Sequence, residues 1–127
     1  MNSRFLFLAF VPFALLGLAS CRGGDHATQI RAIGGDPNRG KASLAEYGCS
    51  ACHVISGVTG AVGRAGPPLT GIAERSYLAG VVPNTPDNMI AWIMNPQSIN
   101  PRTAMPNLSV PEGVARDMVT YLYVAVR

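Results

Sequence analysis

Three residues that could do chemistry lie close together in the stretch YGCSACHVIS, residues 47–56. Cys49, Cys52 and His53 form the pattern C-x-x-C-H. Residues of these types at this spacing suit three kinds of site: part of a zinc site, a redox dithiol, or a point of covalent attachment for a c-type haem.

Ligand counting and sequence context separate these three possibilities. A structural zinc site usually takes four ligands from two separated pairs. The chain has no second cysteine pair, and its other histidine, His26, lies in a segment with the composition of a linker. A redox dithiol at this spacing is typical of a βαβ context, and no segment shows sustained strand alternation. The motif therefore favours haem attachment, in which each cysteine adds to one vinyl group of the porphyrin and His53 binds the iron.

The second axial ligand of the iron is predicted to be a methionine. The segment expected to fold contains no further histidine, and Met/His ligation is a known haem pairing that raises the reduction potential. Met105 is the candidate because it lies in a loop between Pro101 and Pro106, with no helix to pack on. The other methionines are expected in the signal segment or as core-filling residues on helices: Met1, Met89, Met94 and Met118.

The first part of the chain is typical of an export signal. Arg4 precedes an unbroken apolar run over residues 5–19, which is short for a membrane span. The letters LASC, residues 18–21, resemble a bacterial lipobox, which predicts removal of residues 1–20 and acylation of Cys21. The alternatives are an uncleaved anchor and ordinary cleavage beside a stray cysteine. Residues 21–35 are interpreted as the lipidated N-terminus and a flexible tether, and residues 36–127 as one folded domain.

Helix signals dominate the folded domain. Asp36 and Pro37 indicate a helix start, Thr85 and Pro86 another, and a capping-box pair of Ser109 and Glu112 a third. A further short helix is expected around residues 72–79, and loops rich in proline and glycine connect these segments. The predicted fold class is therefore all-α, with three to four short helices.

Size and charge restrict the function. A folded part of roughly 90 residues is marginal on its own apolar burial, so a large buried cofactor would help to complete its core. The formal net charge of the chain is +3 and it has a single lysine, Lys41. This charge is too small to indicate a nucleic-acid partner.

Taken together, residues 36–127 resemble a bacterial class I cytochrome c. The resemblance rests on RGKASLAEYGCSACH, GPPLTGIAER, WIMNPQSINPRTAMPNL and ARDMVTYLYV, which stand in the order of that family's elements. It implies a small all-α fold around one covalently bound haem c, with crossing terminal helices that approach closely at Gly40. It also implies the roles of five more residues: Pro67 would accept from His53, Leu69 would pack on the haem, Arg75 and Thr103 would face its propionates, and Trp92 would lie near the methionine sulfur.

The expected function is that of a membrane-tethered electron carrier rather than an enzyme. The resemblance implies single-electron transfer in the bacterial cell envelope, with the haem domain on the periplasmic or outer side and Cys21 in the lipid. The lysine ring that steers mitochondrial relatives is absent, so the partner is expected in the same membrane, as a terminal oxidase or a quinol-oxidising complex. The rivals are a haem peroxidase or gas sensor with a displaceable sixth ligand, and a structural subunit.

Overall fold

A computed structural model of the chain describes residues 24–124. Helices dominate this part, together with two single 3-10 turns, at Cys49–Ala51 and Ile72–Glu74, and one short antiparallel hairpin. In chain order the α-helices and strands are α1 (Gly24–Ile33), α2 (Pro37–Glu46), β1 (Tyr77–Leu78), β2 (Val82–Pro83), α3 (Pro86–Met94), α4 (Pro96–Ile99) and α5 (Glu112–Val124).

The predicted start of α2 is confirmed. The Asp36 side chain accepts from the backbone N–H groups of Asn38 and Arg39, at 2.8 and 3.0 Å, and Pro37 occupies the first turn. These bonds satisfy donors that a helix start otherwise leaves unpaired. The helix ends at Glu46, and Gly48, at φ +71°, turns the chain directly into the C-x-x-C-H segment.

Helices α2 and α5 cross in close contact, as expected for the two terminal helices. A Cβ atom on Gly40 would collide with backbone atoms of Asp117 and Met118, so only glycine lets the helices approach this far. The Asp117 carboxylate, 7% exposed, accepts from the backbone N–H of Asp36 at 2.6 Å. It also accepts from Nε and Nη2 of Arg39, at 2.8 and 3.0 Å. These hydrogen bonds, led by the one from Arg39, lower the pKa of Asp117.

The core is built mainly on α5. Its buried apolar residues pack with Leu44 of α2 and with Ile90 and Ile93 of α3, and they are Ala115, Met118, Val119, Tyr121, Leu122 and Tyr123. Met118 is buried, as expected for a core-filling methionine. Met89, on α3, is also buried, as expected for a core-filling methionine.

The predicted flexible tether is wrong for residues 24–33, which form α1. Ile33 is 3% exposed and Ile30 is half-buried, so this helix packs its isoleucines into the core. The Arg116 side chain donates to the Ile33 carbonyl at 3.4 Å, which adds a polar contact with α5. The predicted signal segment and Cys21 lie outside the described residues. No helix within residues 24–124 combines the length and the apolar character that a membrane crossing requires.

The short helix predicted around residues 72–79 is also wrong. One 3-10 turn is followed by the hairpin, in which Tyr77 pairs with Pro83 and Leu78 with Val82. Ala79 and Gly80 both have positive φ, +51° and +72°, which reverses the chain and prevents a helix from continuing.

The capping box predicted for α5 does not form. Ser109 has a φ of +54°, and its N–H donates to the Asn107 side chain at 2.8 Å. Glu112 instead pairs with Arg116, four residues later, through contacts of 2.6 and 3.1 Å. The salt bridge on one helix face replaces the predicted bond to the helix start.

We predict that Gly40→Ala will strongly destabilise the domain, because its methyl group has no space against the α5 backbone. The expected loss is about 1–3 kcal/mol of unfolding free energy or more, measured by denaturant titration. Gly113→Ala is the control, since Gly113 lies on the partner helix α5 and nothing lies within 4 Å of its added Cβ. Equal stability of the Gly40→Ala variant and the wild type would contradict the close crossing.

Candidate functional site

One cavity of about 410 Å³ lies between α3, the C-x-x-C-H segment and the loop after α4. Its volume falls within the roughly 300–1,000 Å³ of small-molecule and cofactor sites, and most of its lining is apolar. The structure brings to this cavity every site residue predicted within the folded domain: Cys49, Cys52, His53, Pro67, Leu69, Arg75, Trp92, Thr103 and Met105. Residues separated by more than 50 positions therefore share one site.

The orientation of His53 is fixed on one side of the imidazole ring. Its Nδ1 lies 2.7 Å from the Pro67 carbonyl oxygen, and because a carbonyl can only accept, Nδ1 carries the proton. In a neutral ring with this tautomer, Nε2 keeps its lone pair, and neutral imidazole is the form of histidine that binds a metal. The contact implied for Pro67 is thus present in the structure.

Gly66 provides the space for this ring. A Cβ atom at Gly66 would collide with Nδ1, Cε1 and Nε2 of His53, so the glycine backbone forms a cradle that a larger residue would fill. Gly66 is the first residue of GPPLTGIAER, one of the stretches that carry the family resemblance, but the sequence gave no reason for the glycine. The structure supplies that reason as close packing against the imidazole.

Cys49 and Cys52 are free thiols, each half-buried at the cavity wall. Burial raises the pKa of Cys49, which disfavours the thiolate that a redox dithiol or a nucleophile needs. Within residues 24–124, no group of three or more His, Cys, Asp or Glu side chains is arranged to hold a metal ion.

Met105 lines the same cavity from the loop that follows α4. Two hydrogen bonds hold its backbone. Its N–H donates to Oγ1 of Thr103 at 3.1 Å, and its carbonyl accepts from Nε2 of Gln97 at 2.8 Å. Sequence reasoning missed Gln97, because the four-residue helix α4 is too short to leave a periodic signal. Met89 also lines the cavity, so this chain offers it two methionines.

Arg75 contributes a positive charge to the cavity wall. Among the lining residues that the structure describes, it alone has a side chain that is always charged at neutral pH. Its guanidinium donates to the Pro68 carbonyl, next to the residue that holds His53. The wall is thus apolar with one cation, which suits a large apolar ligand that carries an acidic group.

Comparison with known proteins finds partial similarity to a respiratory oxidase subunit. No known family model matches the chain. It is 37% identical over 81 residues to cytochrome c oxidase subunit 2 of Alkalihalophilus pseudofirmus. The aligned region is 64% of this chain and 22% of that protein, so the chain spans about a fifth of the length of the curated relative it matches. The chain is thus a weak homologue of an oxidase subunit over part of its length.

We predict that Thr103→Val will loosen the Met105 loop, because valine keeps the shape of threonine but cannot accept the Met105 N–H. Hydrogen exchange at this amide should accelerate about threefold to tenfold, the effect of one net hydrogen bond. Thr70→Val is the control, since the Thr70 hydroxyl bonds instead to Ser56 at 3.2 Å. Unchanged exchange at Met105 in the Thr103 variant would contradict the contact.

Proposed function

We propose that this protein is a mono-haem c-type cytochrome that carries single electrons in a bacterial respiratory chain. The observation that carries this proposal is the convergence of the C-x-x-C-H segment and Met105 on one apolar cavity. The partial similarity to an oxidase subunit supports the respiratory assignment.

The residues present fit a haem. Cys49 and Cys52 offer two thiols on one wall, close to His53, whose Nε2 is available as an iron ligand. Met105 offers a thioether from the loop after α4. A haem held by these groups would supply a one-electron iron couple, and His/Met ligation would raise its potential.

The surrounding residues would prepare the site for this role. The Pro67 carbonyl fixes the His53 ring, and such a contact raises the basicity of an imidazole ligand. The apolar wall, which includes Leu69 and Trp92, would exclude water. Arg75 would offset part of the charge of the haem propionates, and the Thr103 hydroxyl would donate a hydrogen bond to them. No substrate is transformed in this scheme, so the protein acts as a carrier rather than as an enzyme.

We further propose that the domain adopts the all-α class I cytochrome c fold. The crossing of α2 and α5, the segment after α2 that carries the cysteines, and the methionine loop after α3 and α4 support this assignment. The hairpin of β1 and β2 would then be a local addition on the cavity wall.

The proposed partner is a membrane-bound terminal oxidase, with a quinol-oxidising complex as the second possibility. The similarity to an oxidase subunit supports the first choice. With a formal net charge of +3 and a single lysine, Lys41, the chain has little net charge for long-range steering. A lipid anchor at Cys21 in the cell envelope would replace steering by raising the effective concentration of partner and carrier.

The test compares optical spectra and reduction potentials of the purified full-length protein and three methionine variants. We expect Met105→Leu to lose the red absorption band of a ferric thioether complex and to lower the reduction potential, because the thioether stabilises ferrous iron. Met89→Leu tests the other methionine at the cavity, and Met94→Leu is the control on the same helix. Both should keep the wild-type spectrum.

Two outcomes would overturn this assignment. Absence of haem in the purified protein would remove the proposed function altogether. Rapid carbon monoxide binding by the reduced wild type would indicate a displaceable sixth ligand, and hence a haem peroxidase or a gas sensor.

Loss of the absorption band in the Met89→Leu variant alone would assign the iron ligand to Met89 instead of Met105.

A further inference from the structure

A hydrogen-bond cluster behind the cavity wall is centred on Asn84, which follows β2. Its Nδ2 donates to the carbonyls of Ile72 and Arg75, at 2.6 and 2.8 Å. Its Oδ1 accepts from the Tyr123 hydroxyl at 2.6 Å. Its backbone N–H donates to the Ser76 carbonyl at 3.0 Å. Both side-chain donors and the side-chain acceptor of Asn84 are therefore used.

The chemistry of these partners determines the orientation of the Asn84 amide. Carbonyl oxygens cannot donate, so the amide nitrogen has to face Ile72 and Arg75, and the amide oxygen faces Tyr123. Tyr123 is 1% exposed, and burial raises its pKa to about 12, so the phenol stays protonated as a donor. Loss of Asn84 would leave a buried hydroxyl and two carbonyls without these bonds, which carries a desolvation cost.

The two carbonyls that Asn84 holds belong to the wall of the functional site. Ile72 and Arg75 both line the cavity. They lie in a segment, residues 67–75, that ends at Arg75 and whose first residue, Pro67, accepts from His53. Within this segment, the Ile72 N–H donates to the Leu69 carbonyl at 3.1 Å, and the Arg75 side chain closes back onto the Pro68 carbonyl. The segment thus connects Asn84 at one end to His53 at the other.

We propose that Asn84, supported by Tyr123, is a positioning residue that holds the 67–75 segment in the conformation needed to orient His53 and Arg75. Nothing in the sequence pattern singled out either residue. Asn84 acts here through the carbonyls that it holds and does not line the cavity. The redox consequence rests on the proposed function, whereas the effect on the His53–Pro67 bond concerns the polypeptide itself.

A merely structural contribution of Asn84 would have a different signature. Such a contribution would lower the stability of the whole domain, and all slow protons would exchange faster by the same factor. A positioning residue would selectively loosen the 67–75 segment. The His53 Nδ1 proton would then exchange faster, while backbone amides at the α2–α5 crossing, such as those of Leu44 and Met118, would not.

The experiment measures hydrogen exchange by NMR on the full-length protein, after an optical spectrum of the same sample. We expect Asn84→Ala to accelerate exchange of the His53 Nδ1 proton at least about fivefold relative to the crossing amides. The reduction potential should also shift. The control is Asn88→Ala, which removes an amide that donates to the Pro83 carbonyl at 2.9 Å and has no bond to the 67–75 segment. It should change neither quantity.

Tyr123→Phe provides a second, milder variant that keeps the shape of the ring. It should produce a smaller acceleration, and this effect should vanish in an Asn84→Ala background, because both residues act through one connection. The proposal would be overturned if exchange of all slow protons accelerated by the same factor. It would also be overturned if exchange of the His53 Nδ1 proton did not accelerate in either single variant. A sample without haem would refute the proposed function, but the His53 exchange would still test the positioning role.

Discussion

The close crossing of α2 and α5 is the contact on which the rest of the structure depends. At Gly40 the two backbones touch, and the buried Asp117 carboxylate ties the start of α2 to α5. Because the first cysteine, Cys49, follows α2 within three residues, the crossing also fixes where the C-x-x-C-H segment begins. The Tyr121 hydroxyl donates to the Ser56 carbonyl at 2.7 Å, so α5 holds the far side of the same segment. The position of His53 thus follows from packing some distance away.

This framework leaves space where a domain of this size would normally have core. A cavity of about 410 Å³ with a mainly apolar wall is a substantial loss of packing for a chain whose folded part is short. Under the proposed function, a covalently held haem would recover that packing and complete the core. The same wall would keep water from the iron and place one cation, Arg75, among apolar groups. Stability and redox chemistry would then depend on the same set of contacts.

Some features that are local in sequence were predictable, whereas others, such as the Ser109–Glu112 capping box, and most contacts between distant segments were not. The Asp36 cap of α2 follows from a few neighbouring residues, and the structure confirms it. The His53–Pro67 contact was implied only by the family resemblance. Gln97 and Asn84 carry no sequence signal, because their partners are defined by tertiary packing. Helix α1 was read as a tether from its glycines and polar residues, yet packing of its isoleucines against the core stabilises it.

The most direct test of the central claim is the mass of the purified protein after complete denaturation. We expect one haem per chain that stays attached when the fold is lost, because Cys49 and Cys52 would hold it through thioether bonds. Replacing both cysteines with serine should leave no covalently attached haem. A denatured chain that carries both free thiols and no added haem mass would contradict the account.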